Sequence, residues 1–526
     1  MKKIILCFDG TGNEPKDADQ DDTWFGFGGP EDDSISNVLK LHLMLGGDLQ
    51  GRRAIDDQFS FYYSGVGTYG TLIKRVINLF SAPPHKDVGN IIKHATCDLF
   101  KYYEPGDKLF IFGFSRGAAI ARRFASVLNE IYGALGWDKP PQIDFMGVFD
   151  TVAAIKKPNL VKQEIKPTSD VVFENHTISP LIEKTLHLLS IDERRIAFLP
   201  TLMNRDPKVT EVWFAGAHSD VGGGYLYDGL SDNALQFMID FIVQDQDIPL
   251  TFLTPAAIDY NDLFEGPEEL IKYEDVIVQP NPLGKSHEQS AITNIKEHFL
   301  DYRSPRVNVN DKHSIYPPII HRSVFDRMAA DASYNPKALG EGLKNPYTDE
   351  KPGIVVWEHD GRRIPYDTVE AAKCDSIVQA RTLNVAEKAT FTVYANVKFN
   401  VTGIRVGYDE NEAYVFTVNM DQKWFDATIE CGPGGWDRNN DSLSFLQSQF
   451  IRIMEGAKRH PEANWFEVIG AIGRDDSDCF KILDHVNGKL QYKPQRKGEL
   501  FAFANDLPRK YGNNRGSITV IVERIA

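Results

Sequence analysis

Lys108-Leu-Phe-Ile-Phe-Gly-Phe-Ser-Arg-Gly-Ala-Ala-Ile-Ala-Arg122 is the stretch that decides the fold. Leu109 to Phe112 is an apolar run, the mark of a short buried strand. Gly113-Phe-Ser-Arg-Gly117 follows with no room for a loop, and Ile120, Phe124, Val127, Leu128 and Ile131 then recur at helical spacing. Strand, Gly-x-Ser-x-Gly, helix is the context in which that motif presents a nucleophile. The turn is so tight that only small residues fit two positions before and after the serine. It also stands the hydroxyl at a helix N-terminus, where the dipole favours a developing oxyanion. The competing reading is a glycine-rich turn whose serine caps the helix.

Working outward, Lys2 to Phe8 reads as a first buried strand ending in Asp9-Gly-Thr-Gly-Asn13. An early glycine loop of this kind supplies oxyanion donors, with Gly10 or Thr11 as candidates beside the backbone N–H of Arg116. The alternatives are a plain turn, or a phosphotransfer aspartate at Asp9, although Thr11 stands where that chemistry wants a second acid. Residues 14–34 read as an exposed acidic loop whose spacing fits no calcium-loop template. Ser36 to Leu45 and Val88 to Tyr103 read as helices and Phe59 to Ser64 as a strand, with Gly65 to Gly70 a loop. Strands alternating with helices argue a parallel sheet with the site at the strands' C-terminal ends.

Ile143 to Phe149 is the next strand, and Asp150 just past its end sits where an acid partner belongs. Residues 154–186 lose periodicity, as a cap or a long connection would. Arg194 and Arg195 serve either a phosphate or, the expected case, structural ion pairs. Glu211 to Ala217 is a further strand, and His218 at its end precedes a run of three glycines that lets a base approach the serine. Ser115, Asp150 and His218 follow one another in α/β-hydrolase order. Asp220 is the alternative acid, better suited to orienting a loop. Gly229 to Val243 is a helix with Ser231 as N-cap, and further helical pieces lie near 293–300 and 323–332.

The pattern changes after a polar stretch near Asn345 to Gly353. From Thr390 onward period-two segments separated by turns indicate a β-sandwich, interrupted by one helical stretch near 442–458. The expected organisation is an α/β domain over 1–345, a linker or edge segment over 346–375 and an all-β domain over 376–526.

A net charge of −16 argues against general nucleic-acid binding, which needs a positive surface. Five scattered cysteines without paired spacing suggest reduced thiols and no zinc site. The apolar run at the N-terminus stops at Asp9, too soon for a signal peptide. No run approaches the roughly 20 residues of a membrane span. The protein is therefore expected to be cytoplasmic as synthesised, and any export would follow a route without a cleaved signal.

Cys7-Phe-Asp-Gly-Thr-Gly-Asn13, Gly113-Phe-Ser-Arg-Gly-Ala118, Gly147-Val-Phe-Asp-Thr151, Ser190-Ile-Asp-Glu-Arg-Arg195, Val212 to Tyr225 and Ile320-His-Arg-Ser-Val324 together resemble the catalytic domain of the first family of type VI secretion lipase effectors. The resemblance spans about residues 1–335. It implies an α/β-hydrolase fold and a serine esterase acting on fatty-acyl esters of phospholipids. Ser115 would be the nucleophile, Asp150 the acid and His218 the base, with no cofactor required. A lipid or other ester substrate and a secretion-machinery partner follow from the same resemblance.

Gly498 to Ser517 is similar to the end of the bacterial galactose-binding calcium lectins, and Trp424 to Thr428 and Gly432 to Trp436 fit the wider sandwich family. That resemblance implies calcium held by Asp506, Asn513, Asn514 and the Lys510 carbonyl, or else a metal-free turn between two strands. It also implies a glycan or membrane surface as a partner. The alternative to an esterase is a glycan-binding protein whose hydrolase domain is weakly active or acts on a non-lipid ester.

Overall fold

The computed structural model describes residues 1–10, 33–51, 54–64, 84–153, 178–263, 271–287, 300–331, 333–340, 342–343, 352–376, 380–437, 451, 454–474, 476–484, 486–508 and 510–526. Residues 14–32 of the acidic loop, the Gly65 to Gly70 loop, the non-periodic segment up to residue 177, residues 293–299 of the helical piece expected near 293–300, and residues 442–450 and 452–453 of that expected near 442–458 lie outside them. Two compact units divide the chain: the first takes Met1–Gln20, Asp32–Pro282 and Ser286–Ser376, and the second takes Ile377–Ala526 together with the short stretches Asp21–Glu31 and Leu283–Lys285.

The first unit is built on one sheet. Its first seven strands are β1 (Lys3–Phe8), β2 (Ala54–Ile55), β3 (Gln58–Tyr63), β4 (Lys108–Phe114), β5 (Phe145–Phe149), β6 (Thr185–Ser190) and β7 (Val209–Phe214). A separate hairpin, β8 (Asn308–Val309) with β9 (Lys312–His313), precedes β10 (Ile319–His321), β11 (Ile354–Trp357) and β12 (Arg363–Tyr366). The ten sheet strands lie in the order β12-β11-β10-β7-β6-β5-β4-β1-β3-β2. Pairing is parallel except at the two ends, β2 with β3 and β11 with β12.

Strand β1 shows why the sequence accepts this layer order. Ile5 and Cys7 face one apolar cluster, shared with the helices α1 (Asn37–Met44) and α5 (Gly229–Gln244); Ile4, Leu6 and Phe8 face another, shared with α2 (Pro84–Tyr102) and α3 (Ser115–Ile131). Side chains alternate across a strand, so a continuous apolar run means both faces are covered. Lys40 on α1 is buried and pairs with Asp228 and Asp232 at the start of α5, at 2.6 and 3.1 Å. Asp228 takes the N-cap position expected for Ser231, which sits inside the first turn with its hydroxyl donating to the Asp228 carbonyl at 3.0 Å.

Residues 346–375, expected as a linker or edge segment, carry β11 and β12. Ile354 and Val356 are buried as β11 pairs with β10, so the α/β unit continues past residue 345. None of the five cysteines forms a disulfide, and Cys7 lies within β1.

The named strands of the second unit pair antiparallel. One sheet joins β17 (Ile429–Cys431), β16 (Trp424–Asp426), β23 (Asn514–Arg524), β15 (Tyr414–Val418) and β21 (Lys489–Tyr492), with β13 (Lys388–Tyr394) also on β23. The other joins β14 (Asn400–Val406), β22 (Gly498–Ala504), β19 (Trp465–Ile472) and β18 (Gly434–Trp436), with β20 (Cys479–Lys481) on β19. Inward residues from both sheets, among them Val393, Phe416, Trp424, Val468, Ala502 and Val520, form one core.

Candidate active site

The turn from β4 into α3 holds Ser115 at φ 56°, a left-handed conformation that a side-chain-bearing residue adopts only when its surroundings enforce it. The surroundings are visible at the flanking glycines. A Cβ on Gly113 would meet the Ala118 Cα at 2.7 Å, and one on Gly117 would meet the Asp9 and Phe8 carbonyl oxygens at 2.3 Å. No side chain caps α3, so the serine hydroxyl is not spent as a helix cap. It stands 2.7 Å from His218 Nε2.

His218 lies just past the end of β7, and its Nδ1 is 2.6 Å from Asp150 Oδ2. Asp150 follows β5 directly, at φ 40°, with its N–H donating to the Leu188 carbonyl at 2.7 Å. The structure thus brings Ser115, His218 and Asp150, all buried, into a single hydrogen-bonded line. An ionised carboxylate only accepts, so Nδ1 carries the proton and Nε2 accepts from the serine hydroxyl. The imidazole packs between Phe114, at 4.7 Å between ring centroids, and the edge of Phe198, at 5.0 Å.

No motif in the sequence pointed to the group behind the acid. Arg303 directs Nη1 to Asp150 Oδ1 at 2.5 Å and Nη2 to Oδ2 at 2.9 Å, and also donates to the carbonyls of Ser190 and Phe198. Both side chains are fully buried. Burial alone would push the Asp150 carboxyl up, but the Arg303 charge and the His218 hydrogen bond override it and hold the carboxyl well below its ordinary range. Burial pushes His218 down, more than the hydrogen bond and charge of Asp150 pull it up, so the ring is neutral at pH 7. Glu193 adds a second buried carboxylate. It accepts from the His218 backbone N–H at 3.3 Å and is gripped by Arg195 at 2.9 and 2.8 Å. The Ser190 to Arg195 stretch pointed to this loop, and the arginine of the pair that forms the ion pair is Arg195.

Asp220 orients its loop rather than the imidazole of His218. It accepts from the Ala217 N–H at 2.9 Å and pairs with His287 Nδ1 at 2.5 Å. The carboxylate of Asp9 is likewise occupied, accepting from the Ser36 hydroxyl, the Tyr62 hydroxyl and the Gly10 N–H, each at 2.6 Å. A buried aspartate with both oxygens so engaged is not a phosphotransfer nucleophile. The Gly10 N–H, already given to that carboxylate, is also not available to an oxyanion in this arrangement. Thr11 lies outside the described residues. Arg116 is in the first turn of α3, where helix N–H groups have no intrahelical acceptor.

In the second unit Asp506 is buried, accepting from the Leu507 N–H at 2.6 Å and from Asn514 Nδ2 at 3.1 Å. Asn514 Oδ1 is buried without a hydrogen-bond partner. Asp426, which sequence reading did not single out, is a second buried acid here: burial first, then the nearby Asp506 charge, raises its carboxyl. Burial raises Asp506 too. Asn513 closes the short turn Tyr511–Asn513, which follows Lys510. Among the described residues no three His, Cys, Asp or Glu side chains gather as a metal set. Two carboxylates and the Asn514 amide oxygen are hard donors of the kind calcium takes, while the Lys510 carbonyl accepts from the Asn513 N–H at 3.4 Å.

The family model for the T6SS phospholipase effector Tle1-like catalytic domain matches residues 2–136 and 134–241. An uncharacterized protein of Saccharomyces cerevisiae is 27% identical over 248 residues, 38% of this chain and 32% of its own length. Among solved structures, an uncharacterized protein from Pseudomonas aeruginosa is 21% identical, covering 48% of this chain and 47% of that one, with a TM-score of 0.29. The Tle1 effector bound to the VgrG spike of the type 6 secretion system is 24% identical, covering 43% and 51%, with a TM-score of 0.28. The EclA N-terminal domain, a PllA-like lectin, is 15% identical over 26% of this chain and 95% of its own, with a TM-score of 0.18. The chain thus spans about a third of the yeast relative and about half of each of the first two solved chains.

A mostly parallel sheet, with a serine on a strand-to-helix turn and an acid and an imidazole on later strand ends, defines an α/β domain of the hydrolase type. The family is narrower than that class. Residues 2–241 match the Tle1-like phospholipase effector catalytic domain.

Replacing Arg303 by Met leaves Asp150 buried beside no cation. The expected loss is about 3–5 kcal/mol of stability at pH 7, measured by urea unfolding. The contribution of a depressed carboxyl is present above its unfolded pKa and is lost as pH falls. The gap between wild type and variant should therefore narrow as the pH is lowered through the carboxylate range.

Proposed function

We propose that the chain is a serine carboxylester hydrolase that cleaves fatty-acyl esters of phospholipids. The observation that carries this reading is the hydrogen-bonded line Asp150–His218–Ser115 on a strained turn, within a domain of a phospholipase effector family. In this mechanism Ser115 Oγ forms a bond to the ester carbonyl carbon while its proton passes to His218 Nε2. The tetrahedral oxyanion is stabilised by the Arg116 N–H at the helix N-terminus. Collapse expels the alcohol, which takes the proton from Nε2 and leaves an acyl-serine. Water, deprotonated by the same nitrogen, then releases the fatty acid and restores the serine. Asp150 keeps the imidazole in the tautomer that leaves Nε2 open.

For the second unit we propose a binding module for a glycan or lipid headgroup, with calcium held by Asp506, Asn513, Asn514 and the Lys510 carbonyl. The raised acid pair Asp426–Asp506 and the orphaned Asn514 Oδ1 support the cation. Calcium would neutralise the two carboxylates and draw the polar turn into one set of bonds. The match to a T6SS effector domain extends the proposal to a secretion-machinery partner.

Ser115→Ala should lower hydrolysis of short p-nitrophenyl esters at least about ten-thousandfold with an unchanged circular dichroism spectrum. Retained activity would rule the nucleophile out. Because His218 must be neutral and its pKa is lowered, kcat/KM should rise with pH through an apparent pKa below about 6.5 and stay flat above neutrality.

A carboxyl whose folded pKa is raised makes stability fall as pH rises toward that pKa. With chelator present, wild type should therefore lose more melting temperature between pH 5 and 7.5 than Asp426→Asn does. Millimolar calcium should restore the wild-type value, and no calcium effect in either protein would count against the metal. Co-expression with a VgrG-type spike protein and affinity pull-down should recover a complex; failure to co-purify would remove that partner.

A further inference from the structure

Of the two neighbouring arginines, Arg195 is paired with Glu193, whereas Arg194 is not paired with any carboxylate among the described residues. The Arg194 guanidinium lies over the Tyr302 ring at 4.8 Å from its centroid, and its Nε is buried without a hydrogen-bond partner. The Lys337 ammonium lies over the same ring at 4.9 Å and also has no acidic partner among the described residues. Two cations thus share one tyrosine, and both line a cavity of about 300 Å³.

The acids on that wall are already engaged. Asp192 Oδ2 accepts from the Gly216 N–H and the Tyr334 hydroxyl, each at 2.7 Å. Asp331 Oδ1 accepts from the Ser333 N–H at 2.9 Å and hydroxyl at 2.6 Å. Arg327, also on the wall, stacks over Tyr334 at 4.9 Å and donates to the Pro282 carbonyl at 2.9 Å. What the cavity offers a ligand is therefore cationic: a guanidinium edge and an ammonium, a pairing suited to a phosphate. The local sign is opposite to the −16 of the whole chain, so it is not a by-product of composition.

Its position ties it to the serine. Ala217, the residue before His218, is part of the cavity wall, as is His287, whose imidazole is bound to Asp220 in the short helix α4 (Ser219–Gly222) that follows His218. The backbone that carries the imidazole base is thus one side of the cavity. We propose that this cavity binds the phosphate group of a phospholipid headgroup beside the acyl ester attacked by Ser115. Arg194 and Lys337 are its anchors. The assignment of the headgroup rests on the esterase reading; the anion site does not.

The test uses the full chain, wild type against Arg194→Gln, Lys337→Gln and the double variant. Lys337 is exposed, so its replacement leaves folding intact and keeps the test open if Arg194→Gln is unstable. Calorimetric titration with inorganic phosphate should show binding to wild type that weakens about tenfold or more in the double variant, as expected for loss of charge-assisted bonds. Hydrolysis is then compared on phosphatidylcholine and on diacylglycerol with the same chains, in mixed micelles. The ratio of kcat/KM for the phospholipid over the neutral lipid should fall about tenfold, through KM. If phosphate binding is lost but the ratio holds, the cavity takes free phosphate and the headgroup assignment is overturned. If wild type binds no phosphate and the ratio holds, the anion site itself is overturned. If wild type cleaves neither lipid, the esterase reading fails while the calorimetry still decides the cavity.

Discussion

The buried pair of Arg303 and Asp150 is the contact on which the candidate site depends. Two nitrogens of one guanidinium meet both oxygens of one carboxylate, and both side chains are buried. A bidentate pair fixes the plane of the carboxylate as well as its charge. The plane matters because Oδ2 must also meet His218 Nδ1. The arginine has a cost, since it neutralises part of the charge that would favour a protonated imidazole. The result is an imidazole held firmly in one orientation and one tautomer, but not made strongly basic.

The same balance recurs around it. Glu193 supplies a second negative charge near the imidazole, and Arg195 offsets it in turn. Buried charges survive in proteins when each has a partner and its remaining hydrogen bonds are filled. Among the described residues Arg194 and the exposed Lys337, both over Tyr302, have no carboxylate partner, and Asp426 lies near the like-charged Asp506; the proposed anion and cation would complete these sets. The two units thus follow the same electrostatic rule with opposite sign.

Local constraints were readable from the chain. The serine turn is written in Gly113 and Gly117 because both contacts are with backbone that follows from the strand-to-helix geometry. Asp150 and His218 were legible as polar residues ending apolar strands. Arg303 was not, because it stands in a segment without period and its partner is 153 positions away. The glycine loop after β1 was visible, but not that Asp9 would take the Gly10 N–H for itself. The strands β11 and β12 were read as a linker or edge because they are four residues long, and the outermost carries Pro365, a residue tolerated only at a sheet edge.

The order of residues along the chain gives the Arg303 contact a temporal meaning. Strand β1, whose end packs against the serine turn, precedes Ser115, Asp150 and His218, and all of these leave the ribosome well before residue 303. Until that arginine arrives, folding the sheet buries a carboxylate with no cation beside it, which favours its protonated form. A half-made chain would hold every member of the hydrogen-bonded line and still lack the charge that sets it. The site is thereby linked to near-completion of its own domain.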